Sequence, residues 1–374
     1  MKGVVLGLVF LGLCTPAYAQ FGGLLQRAEQ VAQAKKKIDD LNVTEKEEIQ
    51  IGQQVSAKIR QRFGVVQDPA VTTYVTLVGM LLARASARPN LPWQFVVLDT
   101  DGVNAFAAPG GIIHITRGAL GLIHNEAELA GVLGHEITHV AHRHTVNAIR
   151  KNRLVQLGTH EALKDRAQFL EKVADKTYDF VLENAFDRHD ELDADKGAVA
   201  LTRKLGYAPS GLADFLERLD QRNQGMVMRN GWFRSHPATQ ERIEKIRALV
   251  GSETGATVEA RYKANVSYQA TPLTQIATVV AGSAGLAGSS SNARNGNGKE
   301  KKADQPKAEK KKGFGLANLQ ASLSPESQSA QVSASGGARG LGPDVAAKGG
   351  PDPNIVVVTV TNAELAAFKK GIHD

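Results

Sequence analysis

The sequence predicts an α+β protein that is mostly helical, with one small β-sheet and a long C-terminal tail. Apolar residues recur at helical spacing through most of residues 44–255. Within these residues, Trp93–Leu98 and Ile112–Thr116 have the β-branched and aromatic composition typical of strands. After this region, Gly, Ser, Ala, Asn and Lys dominate. We therefore expect a folded domain at 44–255, a mostly disordered linker at 256–352 and a short strand-helix segment at 353–374.

The first nineteen residues have the pattern of a secretory signal. A basic start is followed by the apolar run Val4–Leu13 and by small residues up to Ala19, and the run is too short to span a bilayer. The one cysteine, Cys14, lies within residues 1–19, so the mature chain would have neither a disulfide nor a thiolate metal site. Residues 20–43 are predicted to form a loose arm. We expect an exported protein, soluble in the periplasm if the signal is bacterial.

Two helices are expected before the first strand. Thr44 followed by Glu47 is a capping pair, and Asp68 followed by Pro69 is a second helix start. Each pair precedes apolar residues at helical spacing. The prolines of Pro89–Pro92 then predict a turn into the strand.

The second strand, Ile112–Thr116, follows a chain break at Pro109-Gly110-Gly111. We expect it to form the edge of the sheet along a cleft, where a substrate peptide can add as one more strand. The candidate substrate-binding residues are then Asn104, Gly110, Gly111, Ile112 and Ile113. In the same strand, His114 is expected to be a half-buried sheet histidine rather than a catalytic group.

The strongest motif is His-Glu-x-x-His, which begins at His135. Asn125 and Glu128 form a capping pair for a helix that is otherwise apolar nearly all round, and such a helix is buried. Residues four apart share one helix face, so His135 and His139 can bind one metal ion together. Glu136 lies about 60° from His139 around the helix, close enough to act as a general base without being a ligand. Buried ionisable groups need a partner, which a cation supplies.

A third ligand is expected from an acidic segment further along the chain. Glu191 and Asp195 are four residues apart and would share one helix face. Glu191 can then complete the ligand set, while Asp195 accepts the other N–H of a ligand histidine. Three other acids also compete for these roles, Asp187, Asp190 and Asp193, although the spacing favours Glu191 with Asp195.

Three helices and a strand are predicted beyond these acids. The helices run from Ala194 to Leu205, from Ser210 through Leu219, and from Gln240 to Val250, and the strand is Val258–Tyr268. His236 precedes the last helix. It is either an ordinary loop residue or a group that approaches the metal.

Positive charge is concentrated in the tail. The net charge is +7, and Lys299–Lys312 contains seven lysines and three acids. Four of the seven net positive charges therefore lie in one short segment, which argues against a nucleic-acid surface on the folded part. We interpret the segment as a solvated linker, with a tether to an anionic membrane or cell-wall surface as the alternative. The strand predicted at Ile355–Val360 and the helix at Ala363–Lys370 either dock on the domain or bind a partner.

A series of short motifs between residues 44 and 250 follows the order of a known family: Ile51-Gly52, Arg88-Pro89-Asn90-Leu91-Pro92-Trp93, Asn104-Ala105-Phe106, Pro109-Gly110-Gly111, Thr116-Arg117-Gly118, Gly134-His135-Glu136 with His139, Arg143-His144, Arg188 with Glu191, Ala194 and Asp195, and His236-Pro237 with Arg242. The chain resembles zinc metallopeptidase family forty-eight, the group of the CAAX prenyl protease, HtpX and mitochondrial Oma. Within it, the chain is most similar to the secreted periplasmic, BepA-like branch. The resemblance implies a compact zincin fold of the gluzincin-like type.

The same resemblance implies one zinc ion per chain. The ion would be held by His135, His139 and Glu191, with Glu136 as general base and Asp195 supporting a ligand. Peptide-bond hydrolysis is the implied activity.

The resemblance also implies that His236 lies near the metal, where it can mask the ion in a resting state. Arg242 would lie close by and steady the oxyanion. The implied substrates are unfolded or misassembled envelope proteins. The tail does not resemble the helical repeats of the BepA-like branch.

Two further hypotheses depend on the same features. Thr145–Glu183 lies between the second and third ligands, so it must pass near the cleft and can gate it. The alternative function is a non-catalytic, zinc-stabilised periplasmic chaperone or assembly factor. A metzincin is disfavoured because His142 occupies the place where that class needs a glycine.

Overall fold

The structure is a computed structural model that describes residues 43–152, 165–183, 186–223, 232–236, 239–272 and 352–373. Several predicted segments lie outside these residues: the signal at 1–19, the arm at 20–43 apart from its last residue, the basic segment Lys299–Lys312 and most of the linker.

Helices make up most of the described chain. They are α1 (Glu45–Phe63), α2 (Pro69–Ala85), α3 (Arg117–Leu122), α4 (Glu126–Ala141), α5 (His144–Asn152), α6 (Arg166–Glu183), α7 (Arg188–Leu205), α8 (Gly211–Arg222), α9 (Trp232–Ser235), α10 (Thr239–Val250), α11 (Glu259–Asn265) and α12 (Asn362–Lys370). The strands are β1 (Gln94–Leu98), β2 (Ala105–Ala108) and β3 (Ile112–Thr116). The predicted mostly helical α+β class with a small sheet is confirmed.

The predicted helix starts are confirmed in atomic detail. Thr44 and Glu47 form a reciprocal capping box at α1. Asp68 accepts from two backbone N–H groups at the start of α2. Asn125 Oδ1 accepts from the Glu128 N–H at 3.0 Å at the start of α4. Local side-chain chemistry therefore sets these three boundaries.

The order of the sheet is β1-β3-β2, with β1 parallel and β2 antiparallel to β3. The expectation that Ile112–Thr116 forms the sheet edge is wrong, because this strand is central and both its sides are paired. The edge that follows it is β2, which the sequence did not reveal because three of its four residues are alanines, a residue depleted in strands.

The two faces of β3 pack into two cores. Ile113 and Ile115 join the larger core with residues of α2 and α4, whereas Ile112 joins a smaller core with residues of α1 and α6. His114 points to the smaller core and is fully buried rather than half-buried, with its Nε2 2.9 Å from Ser56 Oγ. Burial lowers the pKa of His114 to about 3, so this histidine is neutral in the fold.

Close approach of α4 and α7 places the predicted ligands side by side. An added Cβ at Gly197 of α7 would lie 2.3 Å from Thr138 Oγ1 of α4. An added Cβ at Gly134 would lie 3.2 Å from Ala198 Cα. The two glycines allow a helix spacing that larger residues would not permit.

The folded part continues past the predicted boundary at residue 255. The predicted strand Val258–Tyr268 is wrong: this segment contains helix α11, with Tyr262 and Val266 buried in the larger core. The first part of the predicted linker at 256–352 therefore belongs to the domain, at least to residue 272.

The C-terminal segment docks on the domain. Ile355–Val360 is extended but belongs to no sheet, so the predicted strand is wrong, whereas the predicted helix is confirmed as α12. Leu365 is buried, and the Phe368 ring lies 4.0 Å from the Arg261 guanidinium. Of the two alternatives for this segment, the structure shows docking.

No helix among the described residues has both the length and the apolar content needed to cross a bilayer.

Candidate metal centre

Two imidazoles of α4 and a carboxylate of α7 converge at the centre of the domain. His135 Nε2 lies 3.0 Å from His139 Nε2. Glu191 brings Oε1 to 3.4 Å from His139 Nε2 and Oε2 to 3.7 Å from His135 Nε2. All three side chains are buried. The structure thus brings together the three residues predicted to hold a metal.

These donors fit a divalent metal ion. Both Nε2 atoms face each other and the same carboxylate, while each ring's other nitrogen has its own partner: His135 Nδ1 lies 3.0 Å from Asp195 Oδ1, and His139 Nδ1 lies 3.0 Å from His144 Nδ1. Burial lowers the pKa of His135 to about 3, so its ring is neutral and can be a ligand. Two histidines and a glutamate are a known ligand set of catalytic zinc. The ligand atoms of this cluster, including that of His236, lie within 4.8 Å of one another.

The general-base candidate, Glu136, is fully buried next to the cluster. Neither of its carboxylate oxygens accepts a hydrogen bond from the described residues. His236 Nε2 lies 3.4 Å from Oε1. Burial raises the pKa of Glu136 to about 7. A carboxyl with such a pKa can take up and release a proton near neutral pH.

The family of the chain follows from comparison with known proteins. Residues 69–250, which contain α4, α7 and the whole cluster, match the family model described as Peptidase family M48. This chain carries an M48 peptidase domain.

Relatives of the M48 domain are named proteases. The chain is 24% identical over 215 residues to the beta-barrel assembly-enhancing protease of Escherichia coli K12, which covers 54% of this chain and 43% of that protein. It is 28% identical over 175 residues to the mitochondrial metalloendopeptidase OMA1 of Schizosaccharomyces pombe, covering 47% and 52% of the two chains. It is 29% identical over 169 residues to the metalloprotease LoiP of Escherichia coli K12, covering 43% and 64%. The similarity thus spans less than two thirds of each relative.

Asp195 and Arg242 support the ligands of the M48 domain from behind. Arg242 Nε and Nη2 lie 2.8 and 2.7 Å from the Asp195 carboxylate, and Nη1 lies 2.7 Å from Glu191 Oε2. Burial opposes ionisation of Asp195, but Arg242 and His135 hold its pKa down at about 2. Asp195 therefore stays charged and accepts from His135, the supporting role predicted for it.

The predicted oxyanion role of Arg242 does not agree with its contacts. Its remaining polar neighbours are the His236 carbonyl, 3.3 Å from Nη1, and His135 Nδ1, 3.5 Å from Nη2. The Arg242 side chain is 1% exposed, and all three guanidinium nitrogens face protein groups. Arg242 acts on the site by positioning Asp195 and Glu191.

His236 lies inside the site, beside the predicted metal ligands. Its Nδ1 is 2.9 Å from Glu191 Oε1 and 3.2 Å from His135 Nε2. Its ring stacks on Trp232 at a centroid distance of 4.4 Å and on Phe186 at 5.8 Å. The imidazole is 2% exposed and lies between Glu191 and Glu136, with Nδ1 facing Glu191 and Nε2 facing Glu136.

The competing acids lie outside this cluster. Asp187 caps the start of α7 by accepting from the Asp190 N–H at 2.9 Å. Asp193 lies beside His142 and His144. Among the described residues, only Glu191 brings a carboxylate to both ligand histidines, as its spacing from Asp195 suggested.

One supporting residue was missed as a site candidate. His144 is 5% exposed. Its Nδ1 lies 3.0 Å from His139 Nδ1, and its Nε2 lies 3.1 Å from Asp193 Oδ2. Burial, aided by the nearby His139, lowers the pKa of His144 to about 4, so the ring is neutral and can accept from a ligand. The Arg143-His144 motif was visible in the sequence, but its contact depends on the turn after α4.

The predicted substrate-binding residues have structural contacts. Asn104 Oδ1 accepts from the Ala105 N–H at 2.9 Å. The Gly110 N–H donates to Glu48 Oε1 at 3.3 Å, and Gly110 and Gly111 have φ of 76° and 105°, values that favour glycine. Ile112 and Ile113 lie in the central strand, so the edge-strand argument no longer applies to them. Substrate contact by the other three stays a prediction.

Proposed function

We propose that the chain is a zinc-dependent endopeptidase that cleaves unfolded or misassembled cell-envelope proteins. His135, His139 and Glu191 hold one zinc ion, and Glu136 is the general base. The M48 domain, the buried ligand set and the printed names of the relatives support this activity.

The single observation that carries the proposal is the state of Glu136. Glu136 is fully buried, and none of the described residues donates a hydrogen bond to its carboxylate. Such burial destabilises a fold, so its presence beside three predicted metal ligands points to chemistry rather than to structure. A cation in the cluster would favour the ionised carboxylate, which is the form that a base needs.

Each of these residues then has a separate role in hydrolysis. The zinc ion supplies Lewis acidity, which makes water a better nucleophile and polarises the peptide carbonyl. Glu136 accepts the proton of the attacking water and returns it to the leaving amine. Asp195 keeps a proton on His135 Nδ1, so that Nε2 stays directed at the cluster.

The location and the substrate class are supported by two features. Residues 1–19 have the pattern of a secretory signal. One relative is named for assembly of β-barrels, which are envelope proteins of bacteria. We therefore place the protein in the periplasm, where polypeptides that have failed to assemble are its substrates.

We infer that this arrangement is a closed state of the site. His236 lies beside Glu136, and α6 packs on α1 and on β2. A substrate peptide would then reach the cluster after these groups move. Arg166 at the start of α6 forms an ion pair with Glu47 of α1, with Nε 2.6 Å from Oε1. We propose that displacement of His236 and α6 opens the site to substrate. The predicted gating segment Thr145–Glu183 includes α6, although residues 153–164 lie outside the described chain.

The test is hydrolysis of casein by the full chain and by Glu136→Gln. We expect the wild type to cleave casein, to lose activity with a chelator and to recover it with zinc. Glu136→Gln should retain its zinc and lose cleavage. A non-catalytic chaperone or assembly factor would bind casein without cleaving it. Cleavage by Glu136→Gln at the wild-type rate would remove Glu136 from the reaction.

A further inference from the structure

A second group of metal-ligating side chains lies at the surface, behind His139. His142 Nδ1 contacts Asp193 Oδ2, and His144 Nε2 lies 3.1 Å from the same oxygen. The ligand atoms of these three residues lie within 4.8 Å of one another. The His142 and Asp193 side chains are 41% and 35% exposed, so solvent ions can reach the group.

An unusual backbone conformation brings the two histidines together. Between them, Arg143 has φ of 60°, in the left-handed region that residues other than glycine rarely adopt. Its guanidinium is held by the buried Glu48 carboxylate, with Nε 2.8 Å from Oε2. The turn directs the His142 and His144 side chains to the same oxygen, Oδ2 of Asp193 in α7. Strain retained in this way is characteristic of functional sites.

We propose that His142, His144 and Asp193 form a second metal site, which binds Zn²⁺ or a similar divalent ion and acts on the central site through His139. Two imidazoles and a carboxylate favour zinc, nickel or copper over magnesium and calcium. Asp190 Oδ1, 3.9 Å from His144 Nε2, is close enough to add a fourth ligand after a small shift. The exposed side of the group leaves room for water ligands.

The two sites share His144, whose ring nitrogens face opposite ways. When His139 binds the central ion through Nε2, its neutral ring carries its proton on Nδ1 and donates it to His144 Nδ1, 3.0 Å away. His144 must then carry its proton on Nε2, where it donates to Asp193. An ion at the second site takes Nε2 instead and moves that proton to Nδ1. Two N–H groups then face each other across the same 3.0 Å.

Because of this conflict, binding of one ion lowers the affinity for the other. An ion at the second site weakens the hold of His139 on the central ion, and by linkage the central ion weakens the second site to the same extent. The coupling rests on the proposed function, since it requires a metal at the central site. Two ions would therefore bind less tightly together than the two separate sites predict.

The experiment is zinc titration of the metal-free full chain, with bound zinc counted per chain. We expect two ions in the wild type and one in both His142→Ala and Asp193→Asn. His124→Ala, which removes another exposed histidine, is the matched control and should keep two. The circular dichroism spectrum checks that each variant is folded.

The same titration separates the two sites. An equal number of ions in the wild type and in His142→Ala would overturn the second site. One ion in the wild type and none in His142→Ala would leave the second site intact and remove the central site, and with it the proposed function.

The stepwise zinc association constants test the coupling. We expect the product of the two constants of the wild type to be about fivefold or more below the product of the single-site constants measured in His142→Ala and in Glu191→Gln, the lower end of typical coupling between sites. Equal products would overturn the coupling.

Discussion

Replacement of Arg242 by methionine should destabilise the metal-free domain strongly. The guanidinium is 1% exposed and forms ion pairs with two carboxylates that are also buried, Asp195 at 2.7 Å and Glu191 at 2.7 Å. Methionine keeps much of the apolar stem but leaves two buried negative charges without their cation. Removal of one partner from a buried ion pair costs about 3–5 kcal/mol. We expect a loss of this size in the free energy of unfolding of Arg242→Met.

The measurement is urea unfolding at pH 7 in a chelator, followed by circular dichroism. The matched control is Arg203→Met on the same helix as Asp195. Arg203 pairs with Glu253 at the surface, with side chains 40% and 47% exposed, and such a pair is worth about 0–1 kcal/mol. If Arg242→Met were to cost no more than Arg203→Met, then Arg242 would not stabilise the ligands as described.

The difference in the free energy of unfolding between Arg242→Met and the wild type should also depend on pH. The pKa of Asp195 in the fold is about 2, below its ordinary value of 3.8. The stabilisation that Arg242 gives to this carboxylate is therefore fully present above about pH 4 and is lost as the pH falls towards 2. We expect the difference to narrow over that range.

Three further predictions concern access to the site and the loop beside it. His236→Ala should raise casein cleavage, because the ring that blocks Glu136 is removed, and an unchanged rate would contradict masking. Arg166→Gln should increase amide hydrogen exchange in α6, because the ion pair with Glu47 is lost. The pKa of Glu47 is lowered from 4.5 to about 2 by this pairing. The difference in exchange rate between the variant and the wild type should therefore disappear as the pH falls through that range. Gly52→Ala would place a Cβ 1.8 Å from the Pro109 carbonyl oxygen, so we expect about 1–3 kcal/mol of destabilisation in thermal unfolding. A melting temperature equal to that of wild type would show that the loop moves freely.

Local patterns in the sequence predicted which residues converge in the central cluster. The spacing of His135 and His139 fixes their common face as soon as the helix is recognised, and the Asn125 cap identifies the helix. The four-residue spacing of Glu191 and Asp195 favoured this pair over the neighbouring acids without excluding them. In each case the information lies within one helix.

Features that depend on contacts between distant segments were not predictable in the same way. The composition of Ile112–Thr116 indicates a strand but not its position in the sheet, and β2 lacks the residues that mark a strand. The contact of His144 with His139 requires the positive φ of Arg143, which Glu48 from another helix stabilises. Arg242 could be placed near the metal by resemblance, but only the structure shows that its nitrogens face Asp195 and Glu191.

The most direct test of the account is the zinc content of two variants made in a His142→Ala background, so that only the central site is counted. Glu136→Gln should retain about one zinc per chain, because Glu136 is not a ligand and zinc has four positions of which three are filled by protein. Glu191→Gln should retain almost none after dialysis against a weak chelator. Equal zinc in the two variants would contradict the assignment of Glu191 as the third ligand.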